Sequence, residues 1–167
     1  KHNLVAASAN ELSFSNGQTY EYNLLAYTPK CACPEVVVKS ALKDPAGCIK
    51  VDPHTMETSY RNVFAIGDVT DIYLDLGDAL PKTGAFAQRQ AKIVAHNIAQ
   101  RLYHSKDPIK SYNGEGQLYI ETGGGKAGTA EGNFYSFPFP DVKVKKPDLI
   151  GRWSKVWWEK YWWFRYF

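Results

Sequence analysis

Asn62-Val63-Phe64-Ala65-Ile66-Gly67-Asp68 is the stretch whose reading decides the fold. A short apolar run bounded by turn residues predicts a buried strand. The strand ends in glycine, which lets another group approach the backbone closely. The next residue places a carboxylate at the strand's carboxyl end, where α/β sheets bind ligands, and a carboxylate there can accept a hydrogen bond from a sugar hydroxyl. Gly-Asp alone also makes ordinary turns. The weight comes from a second segment, Leu80-Pro81-Lys82-Thr83-Gly84-Ala85-Phe86-Ala87-Gln88-Arg89-Gln90-Ala91. This segment opens a helix with free backbone N–H groups beside a lysine and a glycine, and helix N-termini attract negative charge.

Working outward, Ala87, Ala91, Val94, Ala95, Ile98 and Leu102 recur at spacings of three and four and predict a helix over 81–104. Pro81 suits its start, and Asp107-Pro108 ends the region. Upstream, alternation over Glu11–Ser15 and Thr19–Tyr22 about Asn16-Gly17 predicts a hairpin. Asn23–Tyr27 reads as a buried strand. Residues 34–43 read as a short helix, Asp44–Gly47 as a turn and Cys48–Asp52 as a strand. Residues 69–80 read as a loop. Downstream, 112–140 reads as β-rich, with Gly123-Gly124-Gly125 as a turn. Residues 141–148, with lysines and a proline, read as a linker, and 149–167 as a terminal helix.

The pairing of Thr58…Val63-Phe64-Ala65-Ile66-Gly67-Asp68 with Pro81-Lys82-Thr83-Gly84…Ala87…Gln90-Ala91 resembles the second flavin-binding motif of the FAD-dependent pyridine nucleotide–disulfide oxidoreductases. Within that superfamily the chain is most similar to the sulfide:quinone oxidoreductase branch. Leu80–Gly84, Tyr112-Asn113-Gly114-Glu115-Gly116 and Tyr119-Ile120-Glu121-Thr122-Gly123 carry that resemblance, which covers nearly the whole chain. It implies an α/β fold, the C-terminal part of a flavoprotein with two dinucleotide-binding domains. In that scheme 1–30 ends the second, NAD-like nucleotide-binding domain, and 31–104 is the C-terminal half of the FAD domain. Residues 105–148 form a small β-rich quinone-side segment, and 149–167 a membrane-associating helix.

The resemblance also implies roles. Asp68 would hydrogen-bond the ribityl chain of FAD, and Gly67 would let that chain lie against the backbone. Lys82, Thr83 and Gly84 would sit at the pyrimidine end of the isoalloxazine, with Lys82 supplying favourable electrostatics. The family's Gly-rich strand–turn–helix for the FAD pyrophosphate does not occur in this sequence, so the missing N-terminal part of the same protein is an expected partner. Membrane quinone would accept the electrons. The donor would be sulfide or a related sulfur species; an enzyme like a type II NADH:quinone oxidoreductase, or a non-catalytic docking module, are the alternatives. The family uses a cysteine pair for sulfide. One member falls near the segment that here reads Gly114-Glu115-Gly116-Gln117-Leu118-Tyr119, without a cysteine.

The three cysteines exclude a disulfide scaffold. Cys31 and Cys33 form a C-x-C that can be read as a redox pair or as ordinary packing. Cys48 reads as a small core residue. The four histidines form no ligand cluster, so no metal is expected. With 20 basic and 17 acidic residues, net charge is +3, and no nucleic-acid partner is expected. All five tryptophans, Trp153, Trp157, Trp158, Trp162 and Trp163, lie near the C-terminus among basic residues. Such a mixture favours the headgroup level of a bilayer; packing as core or a homo-oligomeric interface are the other readings. Phe134, Tyr135, Phe137 and Phe139 are candidates to line a quinone channel. No signal peptide or spanning segment is visible, which gives a peripheral membrane protein, on the cytoplasmic face by expectation.

Overall fold

The computed structural model describes residues 2–28, 32–103 and 106–167. The chain divides into two compact units, Lys1–Cys31 and Ala32–Phe167.

The first unit is an antiparallel meander of β1 (Leu4–Ala7), β2 (Glu11–Phe14) and β3 (Thr19–Glu21). Its tight turn falls at Asn16-Gly17, where Gly17 has φ +83° and donates to Phe14 O at 2.9 Å. Asn23–Tyr27 is not a strand, contrary to expectation, and Leu24 is 88% exposed. An extended segment becomes a strand only when a neighbour takes up its N–H and C=O groups, and no strand pairs with this one among the described residues.

The second unit holds the core: Ile49, Val51, Met56, Ala65, Ile72, Leu80, Phe86, Val94, Tyr112 and Phe134. The short helix α1 (Glu35–Val38) leads into a turn in which Asp44 Oδ1 accepts from Ala46 N at 2.9 Å and Gly47 takes φ +94°. β4 (Ile49–Lys50) then pairs in parallel with β5 (Thr70–Asp71). The strand expected over Asn62–Ile66 is replaced by an extended segment tied back on residues 56–58. Thr58 N donates to Val63 O at 2.8 Å, Ala65 N donates to Met56 O at 3.1 Å, and Asn62 turns the chain at φ +64°. The regular strand comes only after Gly67-Asp68, as β5.

Helix α2 (Gly84–Tyr103) starts three residues later than the sequence suggests. Its buried face is Phe86, Gln90, Val94 and Asn97, whereas Leu102 is 69% exposed. The apolar spacing therefore has the right period on a face rotated from the true one. The reason is that Gln90 and Asn97 find partners inside: Asn97 donates to Lys110 O and accepts from Lys110 N, both at 2.8 Å.

β6 (Glu115–Gly123), β7 (Lys126–Asn133) and β8 (Asp141–Asp148) form an antiparallel sheet. The turn between β6 and β7 uses Gly123, Gly124 and Gly125, all at positive φ. β8 is a correction, since its lysines and proline read as a linker. It is an edge strand, where lysine and proline are both tolerated, and Val142 and Val144 pair with Gly132 and Ala130. Asp148 then caps α3 (Leu149–Tyr166), its Oδ1 accepting from Gly151 N at 2.6 Å. Gly151 lies so close to Ala127 O that a side chain there would collide with the strand, which seats α3 directly on β7.

Candidate functional site

The apolar segment 63–66 ends at a 3-10 turn, Gly67–Val69. Gly67 takes φ +71°, a conformation that L side chains rarely adopt, and an added Cβ would meet Ala87 Cβ of α2 at 3.2 Å. The turn is held on both sides. Gly67 N donates to Gln90 Oε1 at 2.8 Å, and Thr70 Oγ1 donates to Gly67 O at 2.7 Å. Asp68 projects at the surface, and no hydrogen bond or ion pair engages its carboxylate among the described residues.

The helix entrance meets this turn. Lys82 Nζ donates to Asp68 O at 2.9 Å and lies 3.3 Å from Asp71 Oδ1. Gly67, Asp68, Lys82, Thr83, Phe86 and Gln90 line one small cleft together with Thr70, Ile72, Leu80 and Pro81. Within it Thr83 Oγ1 is a buried hydroxyl with no hydrogen-bond partner. A buried polar atom left unmatched in this way is costly. Gly84 opens the helix, and Trp158 Cη2 would lie 4.0 Å from a Cβ placed there. The turn and the helix entrance, separated by the loop and β5 that run over 70–80, thus share one wall. The ammonium of Lys82 is not free, however. It ties the helix entrance to the turn, with Asp71 as its counter-charge.

The other sequence candidates are distributed differently. Cys33 is joined to Cys48 in a disulfide, with Cα atoms 5.4 Å apart. Cys48 is buried, as expected of a small core residue, but as one half of this bridge. The bridge corrects the reading of Cys31 and Cys33 as a redox pair, because the sulfur of Cys33 is already used; Cys31 lies outside the described residues. No local sequence signal marks this pairing, which depends on β4 coming alongside the segment before α1. Cys33 Sγ sits 3.7 Å from Val69 O and 4.0 Å from Asp68 O, against the 3-10 turn itself.

Phe134, Tyr135, Phe137 and Phe139 do not gather on one surface. Phe134 is buried and meets Phe86 edge-on at 5.0 Å. Tyr135 is wedged between His54 and Tyr112 and donates to Pro53 O at 3.0 Å. Phe137 and Phe139 are exposed. The tryptophans also divide. Trp158 and Trp162 are half-buried, Trp158 covering Gly84 and stacking near Tyr119 at 6.5 Å. Trp153, Trp157 and Trp163 are exposed. Ile150, Trp153, Trp157, Tyr161 and Phe164 form a continuous stripe along α3, each at least 60% exposed. Lys155 to Glu121 at 2.9 Å and Gln88 to Tyr166 at 3.0 Å hold the opposite face.

Gln90, the partner of Gly67, lies in the helix motif that carries the family resemblance, but the sequence assigns it no role in the site. The signal was present, as a polar residue four positions from Phe86 and four from Val94 on one helix face.

No protein-family model matches the chain. It is 29% identical over 159 residues to the mitochondrial sulfide:quinone oxidoreductase of Mus musculus, covering 87% of this chain and 34% of that protein. It is 34% identical over 122 residues to the mitochondrial sulfide:quinone oxidoreductase of Schizosaccharomyces pombe, covering 71% of this chain and 25% of that one. The fold matches the crystal structure of the sulfide:quinone oxidoreductase of Aquifex aeolicus with a TM-score of 0.76 at 24% identity, over 96% of this chain and 39% of that one. The chain thus spans between a quarter and two fifths of the proteins it matches.

Proposed function

We propose that this homologue of the sulfide:quinone oxidoreductases, which resembles a C-terminal part of them, completes the flavin side of an FAD-dependent enzyme passing electrons from a small donor to a membrane quinone. The observation that carries the reading is the cleft between the Gly67–Val69 turn and the start of α2. It combines a carboxylate without a partner, an unmatched buried hydroxyl at Thr83 and a glycine whose Cβ would crowd the wall. These features fit a polyhydroxylated chain leading to a ring that gains negative charge on reduction. Asp68 would accept from a ribityl hydroxyl. Thr83 Oγ1 and the first free N–H groups of α2 would hold the pyrimidine end of the ring, where a helix terminus favours negative charge. Lys82 fixes the two walls and adds positive charge, partly balanced by Asp71. FAD, when bound, supplies the two-electron chemistry.

The membrane side rests on α3. No described helix is long and apolar enough to cross a bilayer. The outward stripe of Ile150, Trp153, Trp157, Tyr161 and Phe164 is flanked by basic residues, and 141–167 carries seven Lys/Arg against three Asp/Glu. An aromatic and basic face of this kind suits the interfacial layer of an anionic membrane, here the cytoplasmic face. Exposed Phe137 and Phe139 are placed to guide a quinone from that layer.

The donor is a sulfur species on this reading. The absence of a thiol from β6 is the observation favouring a second reading, in which NADH is the donor. The complete protein carrying this chain, purified with lipid, separates these outcomes. A yellow protein whose flavin absorbance bleaches anaerobically with sulfide and returns with a short-chain quinone is expected. Bleaching by NADH alone would select the second reading. A colourless protein that still binds vesicles would overturn both and leave a docking module.

A further inference from the structure

Gln90 is a primary amide only 2% exposed, on the core-facing side of a 20-residue helix. A buried polar side chain at such a position is costly unless it is matched. Its match is the backbone N–H of Gly67, at 2.8 Å. With Thr70 Oγ1 holding Gly67 O at 2.7 Å, both peptide groups of the positive-φ residue are fixed, and Ala87 closes the remaining side.

We propose that Gln90 is a positioning residue for the cofactor cleft, locking the turn that carries Asp68 to the helix that Thr83 immediately precedes. The inference rests on the flavin reading of the cleft. Glycine at the end of a segment has the widest choice of conformations of any residue. Without an acceptor inside, the Gly67 N–H would turn to find another, because a buried donor left unpaired is strongly disfavoured. Asp68, the adjoining residue, would move with it. Hydrogen bonds lose strength steeply with distance and angle, so a small rotation separates the carboxylate and the hydroxyl from the single ligand that both must reach. Bulk at position 90 does not provide this lock; an acceptor at Oε1 does.

The test uses the complete protein and its FAD dissociation constant. Gln90→Met keeps length and volume but offers no comparable acceptor; it weakens FAD binding about tenfold. Gln90→Glu keeps an acceptor at the same atom and stays within about threefold of the parent. Val94→Ala, one turn further along the same buried face, lowers the melting temperature without changing FAD affinity. Hydrogen exchange on the apoprotein reads the bond without any flavin: the Gly67 amide exchanges far more slowly than an unstructured amide, and this protection disappears in Gln90→Met. FAD affinity unchanged in Gln90→Met, a loss in Gln90→Glu or in Val94→Ala as large as that in Gln90→Met, or an unprotected Gly67 amide in the parent would each overturn the proposal. If Gln90→Met does not fold, the parent exchange rate and Gln90→Glu still decide it. A colourless parent overturns the flavin reading and this inference together, whereas a yellow parent with an indifferent Gln90→Met overturns the inference alone.

Discussion

Glu57 and Arg101 show how single residues fasten the site's supporting wall. Arg101, near the end of α2, donates to both carboxylate oxygens of Glu57 at 2.7 Å and to Asn62 Oδ1 at 3.0 Å, while its guanidinium lies 5.1 Å from the Phe64 ring centre. Asn62 N also donates to Glu57 Oε1 at 2.7 Å. These hydrogen bonds, that from Arg101 foremost, hold the Glu57 carboxyl at about 2, below its ordinary 4.5. A carboxylate whose folded-state pKa is lowered adds stability that is complete above about pH 4.5 and drains away as the pH falls towards 2. The pair is only partly shielded from water, so its worth is modest, about 1 kcal/mol. Glu57→Gln should therefore lower the melting temperature at pH 7 by about 2–4 °C for a domain of this size, and the gap should narrow at pH 3. A gap that is constant across that range would show that the Glu57 charge contributes nothing. The carboxylate, the asparagine and the arginine were all visible in the sequence, but their meeting was not, because Glu57 and Arg101 are joined only by the way segment 57–66 folds across α2.

At the scale of elements, the legible parts were those whose signals are local. The turns at Asn16-Gly17 and Asp44–Gly47, the hairpin at Gly123–Gly125 and the body of α2 follow from glycine conformations and helical spacing. β8 was not legible, because the lysines and proline suited to an edge strand are also the composition of a linker. The Cys33–Cys48 disulfide was not legible either, since pairing depends on tertiary approach. It bridges a sequence separation of 15 residues beside the Asp68 turn, and closing a loop of that length is worth about 3 kcal/mol. Reduction with a dithiol, or Cys48→Ser, should lower stability by about that amount, as read by denaturant titration; no change would show that the bridge does not form in solution. For α3, Trp157→Glu and Phe164→Glu alter only outward residues and leave the contacts with the sheet intact. Each should reduce binding to anionic vesicles at least tenfold with the fold preserved. Undiminished vesicle binding would mean that the stripe faces something other than lipid.

Across the whole molecule, the second unit is built so that two segments with little in common in sequence meet at one cleft. Disulfide, parallel β4–β5 pairing and the Gln90 amide all converge on Gly67–Val69, while Pro81–Thr83 brings the start of α2 to the same place. The glycine–aspartate pair and the helix opening were readable because each carries its own local chemistry. Their closeness, the compensation of Lys82 by Asp71 and the separation of Phe134 and Tyr135 from Phe137 and Phe139 belong to packing and were not readable. Flavin binding in this cleft is tested most directly by equilibrium FAD binding to the complete protein and to its Asp68→Ala and Thr83→Val variants. Each variant should bind FAD at least tenfold more weakly while keeping the parent's circular dichroism; FAD affinity equal to the parent's in both variants would contradict a flavin site there.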